Sequence, residues 1–393
     1  MKLPDLSQRL KSLTVYRSLL AEPILNAAVE LLDALRLSGP GDQALPRWAE
    51  LVALLQEAGA ENLGAWLWDA LRYTENPWGR AVEAGKSDPI LESAARRDVE
   101  ALSALATLDG EALLDALSLP GDLRAGLPLW SGDKPLSFDA LTEFYAANGC
   151  GLFAQYRAFL WDGGRLLGVA HPDAPTQDDL VGYRRQREQV EENTRSLLAG
   201  RRVNNVLLFG ESGTGKSATV KSLLNLPGAA DLRLIEIEKN SVSEMPALIR
   251  TLASRRQKFI LFIDDLAFDQ DDMNYSVLKT ILEGGLEPRP DNVAIYATSN
   301  RRNLVRQTFS DRAGDEVDRD ETIQEKTALA DRFGLRVVYQ GFTKKEYLEL
   351  IRRLAEQRNI TAPWEAIEAK AVAWDARHPG RSPRTARQFM DSL

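Results

Sequence analysis

Apolar residues in the first 150 positions recur at steps of three and four, the spacing of one buried face on an α-helix. The clearest series runs from Leu19 to Leu35. Glycine and proline interrupt the pattern near residues 39–41, 77–79 and 120–121, where we expect helices to end. The pattern therefore predicts an all-helical N-terminal domain of about six helices over residues 1–152.

A different pattern follows at residues 153–177. Two short apolar runs, AQYRAFLW and RLLGVA, flank Asp162, Gly163 and Gly164. A glycine-rich turn between two such runs is typical of a β-hairpin. We therefore expect a hairpin-like linker between the helical domain and the rest of the chain.

From about residue 178, short apolar runs alternate with helical stretches, which is typical of buried parallel strands with crossover helices. This pattern predicts an α/β domain over residues 178–341, with a parallel five-stranded sheet and helices on both faces. A helical lid is expected over residues 342–393. The charged segment 311–325 is interpreted as a solvated loop and helix start in preference to an acidic binding site. The five apolar runs are Val206–Phe209, Leu232–Ile237, Phe259–Ile263, Val293–Ala297 and Leu335–Tyr339.

Composition narrows the class of protein. The chain has 393 residues, 44% hydrophobic and 27% charged, which suits two or three domains with buried cores. One cysteine and two histidines exclude an intramolecular disulfide and leave too few ligands for zinc or iron–sulfur chemistry. The formal charge of 49 − 57 = −8 disfavours a surface that binds nucleic acid throughout. Without a membrane-length apolar run or a signal peptide, we expect a cytoplasmic protein with no membrane contact.

Tryptophan is concentrated in the predicted helical domain. Five of the eight tryptophans lie there, at positions 48, 66, 68, 78 and 130. Because aromatic rings dominate the buried area of helical folds, we interpret them as core residues in preference to a docking face for a partner.

The strongest chemical signal is the run GESGTGKS, which matches G-x-x-x-x-G-K-[ST] between an apolar run and a helix-forming segment. Its glycines allow backbone N–H groups to face phosphate oxygens, and the following helix directs the positive end of its dipole to them. We expect Lys216 to contact the β- and γ-phosphates and Ser217 to bind Mg²⁺. The sequence thus predicts ATP and Mg²⁺ as ligands. The loop consists of Gly210, Glu211, Ser212, Gly213, Thr214, Gly215, Lys216 and Ser217.

Two carboxylates end the predicted strand in the run KFILFIDDL. We expect Asp264 to hold the Mg²⁺ shell and Asp265 to orient or deprotonate the attacking water. The alternative, that paired acids merely end a strand at the surface, is disfavoured by the nearby phosphate loop. The residue that orients or deprotonates the water is an Asp here, and its side chain is one methylene shorter than that of a Glu in the same role. We therefore expect slow or partner-stimulated turnover.

From about residue 180 to the C-terminus these features resemble the AAA+ ATPases. Val181 and Gly182 lie in a segment similar to the one that packs on adenine in that superfamily. Asn300 resembles the polar sensor beside the γ-phosphate. Arg332, within LADRFGL, resembles an arginine finger in the form seen in Holliday-junction branch-migration motors, and Arg384, within GRSPRTAR, resembles the second sensor of the lid. The resemblance implies catalytic roles for these side chains and a finger supplied by a neighbouring subunit, hence a homo-oligomeric ring, usually a hexamer.

The alternative is that Asn300 is an ordinary strand-end hydrogen-bonding residue and that Arg332 and Arg384 are ordinary surface cations, which is the less favoured interpretation even for each residue taken alone. Their order and spacing relative to the phosphate loop favour the functional interpretation. A narrower resemblance, to the bacterial ATP-binding family called domain of unknown function 815, includes FILFIDDLAF, LEGGLEPRPDNVAIYATSNRRNL and RTARQF. It implies ATP binding and an AAA+ fold, and it names no substrate.

These observations favour an oligomeric ATPase that remodels, or acts as a switch on, a macromolecular partner. The resemblance to branch-migration motors favours nucleic acid, to which arginine pairs at 255–256, 301–302 and 352–353 could contribute, although such pairs on an acidic chain are more often solvated. A protein partner is the alternative, but residues 239–245 lack the aromatic-hydrophobic-glycine loop of threading unfoldases.

A different class of function is also open: the chain could be an ATP-gated scaffold that hardly hydrolyses ATP. A metabolic kinase is disfavoured by the arginines and the lid pattern.

Overall fold

The chain forms two compact units, Met1–Gln155 and Tyr156–Leu393, which we call the helical unit and the sheet unit. The structure is a computed structural model, and it describes residues 3–37, 43–133, 135–268, 273–284, 288–300, 329–378 and 380–393. The arginine pair at 301–302 and the charged segment 311–325 lie outside these residues. The finer division of the chain at residues 152, 177 and 341 stays a prediction.

The helical unit contains ten α-helices and one 3-10 helix, Arg17–Ala21, within its described residues. About six helices were expected, and the difference lies mainly in one-turn helices such as α8 and α10, which are too short to produce a hydrophobic period. Asn62, Asn76 and Asp88 cap α4, α5 and α6 by accepting hydrogen bonds from backbone N–H groups of the first turn. The helices are α1 Leu3–Lys11, α2 Pro23–Leu37, α3 Ala44–Glu57, α4 Leu63–Tyr73, α5 Pro77–Glu83, α6 Pro89–Ala106, α7 Gly110–Leu117, α8 Gly121–Arg124, α9 Phe138–Asn148 and α10 Leu152–Gln155.

The tryptophans of the helical unit belong to its core. Trp48, Trp78 and Trp130 are buried, and the rings of Trp48 and Trp130 stack with their centroids 6.5 Å apart. Trp66 and Trp68 are partly buried and pack against the same core. The core interpretation of these residues therefore agrees with the structure.

A buried carboxylate anchors the start of the helical unit. Asp98 on α6 is 1% exposed, and its Oδ2 accepts hydrogen bonds from the backbone N–H groups of Thr14 and Val15, both at 2.7 Å, and Tyr16 at 3.3 Å. These bonds satisfy backbone donors that the connection after α1 would otherwise leave without partners. Asp98 thus fixes the path of the chain between α1 and the 3-10 helix.

The sheet unit is built on seven strands in the order β2-β1-β4-β5-β6-β3-β7, all parallel except the antiparallel pair β1 and β2. Val206, Ile260 and Tyr296 share a core with α11 and α12, while Leu207 and Leu261, which point to the opposite face, are also fully buried. Both faces are therefore covered, as expected for parallel strands. The strands are β1 Ala158–Asp162, β2 Arg165–Val169, β3 Val206–Gly210, β4 Leu232–Ile237, β5 Lys258–Ile263, β6 Val293–Ser299 and β7 Leu335–Tyr339.

The fold class inferred from the sequence is confirmed, but the expected number of strands was too low. The two strands expected around Gly163 and Gly164 do form, and β1 pairs in parallel with β4 from Ala158↔Leu234 to Trp161↔Ile237. The hairpin therefore extends the sheet from five strands to seven. Its local pattern indicated strands without revealing their partner, since pairing depends on distant residues.

Helices cover the sheet of the sheet unit, and the last three of them follow β7 at the C-terminal end of the chain. Tyr347, Ile351 and Phe389 form a separate core among the last three helices, and Val181 and Phe342 pack against it. None of the described helices of the chain is long and apolar enough to span a bilayer. The helices are α11 Arg184–Leu198, α12 Lys216–Ser222, α13 Met245–Leu252, α14 Met273–Glu283, α15 Lys344–Gln357, α16 Trp364–Asp375 and α17 Pro383–Asp391.

Candidate active site

A cavity of about 520 Å³ lies where parallel strands β3, β5, β6 and β7 end. The carboxyl edge of such a sheet is where α/β proteins bind ligands, because the loops leaving the strands diverge there. The cavity brings these strand ends together with the segment before α11, the loop between β3 and α12, and the last helix, α17. Its predicted lining residues are Val181, Gly182, Ser212, Gly213, Thr214, Gly215, Lys216, Ser217, Asp264, Asp265, Asn300 and Arg384.

The loop between β3 and α12 has the backbone conformation that its glycines were expected to allow. Gly213 and Gly215 have φ values of 77° and 89°, in the left-handed region. At Gly210, a Cβ would lie 2.0 Å from the carbonyl oxygen of Tyr339. Helix α12 begins at Lys216, so its N-terminal N–H groups face the cavity end of the loop.

Lys216 is 6% exposed, and loop and strand oxygens surround its ammonium group. Nζ donates to the carbonyl oxygens of Gly210 at 3.0 Å and Glu211 at 2.7 Å, and to Oδ1 of Asn300 at 2.9 Å. Burial lowers the pKa of Lys216, while the nearby carboxylates of Asp265 and Asp264 act in the opposite direction. The ammonium thus lies between the loop and the carboxylates that follow β5.

The two carboxylates that follow β5 have different environments. Oδ1 of Asp264 accepts hydrogen bonds from the hydroxyls of Ser217 at 2.6 Å and Thr298 at 2.5 Å. Asp265 is more exposed, and its Oδ1 accepts a 2.7 Å hydrogen bond from Nδ2 of Asn300. Asp264 is therefore tied both to the start of α12 and to β6, and Asp265 to the residue that follows β6.

Asn300 connects the loop lysine to Asp265. Its Oδ1 accepts a hydrogen bond from Lys216 while its Nδ2 donates one to Asp265, so a single side-chain amide binds both residues. This bridge joins Lys216 and Asn300, which were expected beside the γ-phosphate, to Asp265, which was expected to act on the attacking water. The structure thus brings the three side chains together, and their chemical roles remain proposals.

The last helix contacts the loop between β3 and α12 at one side of the cavity. The backbone N–H of Arg384 donates to the carbonyl oxygen of Gly213 at 3.3 Å. Ser382 caps α17, and a Cβ at Gly213 would lie 2.9 Å from its Oγ and 3.1 Å from Cβ of Arg384. The absence of a side chain at Gly213 therefore allows the lid to contact the loop.

The segment before α11 is held by two arginines. Arg187 donates to the carbonyl oxygens of Leu180 at 2.6 Å and Gly182 at 2.7 Å, and Arg387 on α17 donates to the carbonyl oxygen of Asp179. The carbonyl oxygens of three residues are thus held on either side of Val181, which lines the cavity.

Tyr183 is the last residue of that segment, directly before α11, and its ring packs against two other aromatic rings. Its φ is 50°, and its ring stacks on Phe342 with a centroid distance of 4.7 Å and lies 4.8 Å from Tyr339. Burial raises the pKa of the Tyr183 phenol well above its ordinary value and raises that of Tyr339 to about 12. The Tyr183 hydroxyl donates to the carbonyl oxygen of Gln340, and the Tyr339 hydroxyl shares a 3.0 Å hydrogen bond with that of Thr219.

Three of the predicted site residues do not line the cavity. Gly210 and Glu211 contribute only backbone carbonyls, which accept from Lys216, and the carboxylate of Glu211 lies against Gly341 instead. Arg332 lies in a separate depression, where its Nη2 is 2.9 Å from Oε1 of Glu283 at the end of α14. Its side chain is 49% exposed. Arg332 therefore belongs to a different part of the surface.

Several cavity residues were missed in the sequence. Thr298, Thr219, Tyr339, Arg187 and Arg387 all line it. Only Thr298 carried a detectable signal: it lies two residues before Asn300, and alternate residues of a strand point to the same side. The others depend on which elements pack together, and that information is absent from a local pattern.

A family model described as "Protein of unknown function (DUF815)" matches residues 154–393. The match begins four residues before β1 and continues to the last residue, so it includes the whole sheet unit. No curated protein matches the chain.

Solved structures similar to the chain include a point mutant of Thermotoga maritima RuvB, with 18% identity and a TM-score of 0.39 over 55% of this chain and 64% of that one. The T. maritima RuvB Holliday junction branch migration motor has 14% identity and a TM-score of 0.34 over 56% and 72%. The Aeropyrum pernix ORC1 protein in complex with DNA has 17% identity and a TM-score of 0.33 over 55% and 58%. The chain spans less than two thirds of the length of the RuvB mutant. At these values the likeness carries no argument about substrate or partner.

Proposed function

The chain belongs to the DUF815 family, and from the chemistry of its cavity we propose that it is a Mg²⁺-dependent AAA+ ATPase that works as a homo-oligomer on a macromolecular partner. The observation that carries the proposal is the convergence of Lys216, Asp264 and Asp265 in one cavity under a lid. A buried cation, a carboxylate bound to the loop serine and a second, more exposed carboxylate are the groups that phosphoryl transfer to water needs.

The residues present fit a nucleoside triphosphate with Mg²⁺. The cavity volume of about 520 Å³ falls within the roughly 300–1,000 Å³ usual for ligand sites. Ser217 and Asp264 offer the hard oxygen ligands that Mg²⁺ prefers, and a site with few protein ligands suits an ion that keeps waters and phosphate oxygens in its shell. When bound, Mg²⁺ would neutralise charge on the phosphates.

In this proposal each side chain has one role. Lys216 binds the phosphates, exchanging its bonds to loop carbonyls for bonds to phosphate oxygens. Asp265 orients or deprotonates the attacking water, and Asn300 holds the carboxylate of Asp265. Arg384 adds positive charge from the lid, while Val181 and Gly182 contact the base.

We further propose that Arg332 acts on a neighbouring protomer. The position of Arg332 in a depression separate from its own cavity supports this role, since an arginine finger has to reach phosphate oxygens. Mixing Arg332→Ala with Lys216→Ala protein tests it, because each variant would supply the group that the other lacks at a shared site. Recovered hydrolysis in the mixture is expected. Two inactive variants that stay inactive when mixed would contradict action in trans.

The proposed function is tested by steady-state ATP hydrolysis measured against protein concentration, with Lys216→Ala as the control for contaminating activity. A rate that rises faster than protein concentration is expected, since sites would be completed between protomers. If the protein binds ATP but its hydrolysis rate stays near zero at every protein concentration, an ATP-gated scaffold is favoured instead. Repeating the assay with DNA at several salt concentrations separates the two partner classes, because DNA binding weakens steeply as salt rises.

A further inference from the structure

Thr298 joins the carboxylate of Asp264 to the backbone of Asp265, the two aspartates that follow β5. It is 2% exposed near the end of β6, and its hydroxyl donates to Oδ1 of Asp264 at 2.5 Å. The hydroxyl oxygen of Thr298 in turn accepts a hydrogen bond from the backbone N–H of Asp265 at 2.9 Å. A hydroxyl has one proton and two lone pairs, so Thr298 can serve both residues at once.

Asp265 has a backbone conformation that needs such support. Its φ is 48°, and residues other than glycine pay roughly 1–3 kcal/mol to stay in the left-handed region unless their surroundings hold them there. The N–H of Asp265 is bound by Thr298 and, at 3.2 Å, by Oδ1 of Asp264, while its carboxylate is bound by Asn300. Two of these three partners stand on alternate positions at the end of β6.

Thr298 also affects which oxygen of Asp264 remains available. Among the described residues, Ser217 and Thr298 both donate to Oδ1. The lone pairs of Oδ2 are therefore left for another ligand. A threonine suits this task because its branched side chain has few allowed χ1 rotamers, which keeps the hydroxyl in place between the two residues.

We propose that Thr298 is a positioning residue for ATP hydrolysis, fixing Asp264 for Mg²⁺ and Asp265 for the attacking water. This inference rests on the proposed function of the same cavity. Thr298 acts through the two aspartates, so its loss should affect the Mg²⁺-dependent part of nucleotide binding and turnover more than binding itself.

The test compares Thr298→Val, which keeps the shape of the side chain and removes the hydroxyl, with Thr298→Ser, which keeps the hydroxyl. ATP affinity is measured in EDTA and with Mg²⁺, and hydrolysis gives kcat and KM separately. We expect Thr298→Val to lower kcat by about 10–100-fold, since misplacing a reacting group by about 1 Å costs on the order of 10²-fold. The gain in affinity on adding Mg²⁺ should fall by about tenfold, while affinity in EDTA stays unchanged. Thr298→Ser should recover most of both losses.

Ser299→Ala is the matched control. Ser299 is also buried, one position along β6; its hydroxyl donates to the carbonyl oxygen of Leu266 at 2.8 Å, and it does not line the cavity. It should lower the melting temperature without changing the response to Mg²⁺. Equal losses in EDTA and in Mg²⁺ for Thr298→Val, or no recovery with Thr298→Ser, would overturn the proposal. If the unaltered protein binds ATP without hydrolysing it, the proposed function fails, and the Mg²⁺ response of the two variants still decides the role of Thr298.

Discussion

Gly213→Ala tests the contact between the lid and the phosphate loop with a single methyl group. Gly213 has a φ of 77°, and an added Cβ would lie 2.9 Å from Oγ of Ser382 and 3.1 Å from Cβ of Arg384. Ordinary contacts between such atoms are about 3.5–4.0 Å. The start of α17 must therefore withdraw by about 0.6 Å, and Arg384 moves with it.

The expected effect has a backbone part and a lid part. An alanine held in the left-handed region costs roughly 1–2 kcal/mol, which for a unit of this size lowers the melting temperature by about 2–8 °C. A displacement of about 1 Å at a reacting centre costs on the order of 10²-fold in rate. Arg384 would move by about half that distance, so kcat should fall by about tenfold, which corresponds to about 1.4 kcal/mol in the activation barrier.

Gly228→Ala separates the two parts. Gly228 has a similar φ of 81°, but its added Cβ would meet no atom within 4 Å. Thermal unfolding and ATP hydrolysis are measured for both variants. Both should lose similar stability, and only Gly213→Ala should lose turnover. Equal kcat values in the two variants would refute the idea that the lid acts through its contact with Gly213.

Three further substitutions give separate outcomes. Asp98→Ala should lower the free energy of unfolding of the helical unit by about 2–4 kcal/mol, because buried N–H groups lose their acceptor; a change under about 0.5 kcal/mol in chemical denaturation would contradict this. Asp265→Asn should keep ATP binding and reduce hydrolysis by at least about 10²-fold, and retained turnover would place the base elsewhere. Glu283→Gln should raise hydrolysis at low protein concentration by up to about fivefold, because Arg332 loses a half-exposed ion pair worth roughly 0.2–1 kcal/mol; a lower rate would instead make Glu283 a support for Arg332.

Much of the candidate site could be predicted because its signals are local. The run from Gly210 to Ser217 combines a strand end, positive-φ glycines and a helix start within eight residues, and the carboxylates follow directly on β5. Asn300 and Arg384 came from resemblance to a family, and the structure brings both to the cavity. Glu211 illustrates the limit: its place in the motif does not tell that its side chain points to Gly341.

The sequence by itself determined the types of the main elements, the glycine-rich loop from Gly210 to Ser217 and the order of its chemical groups, since hydrophobic period, glycine positions and strand-end acids are properties of neighbouring residues. Only the tertiary structure decided that β1 pairs with β4, that Thr298 joins Asp264 to Asp265, and that Arg332 lies apart from its own cavity. These contacts connect residues far apart in the chain. They follow from the pairing of strands and the packing of helices, which no local pattern specifies.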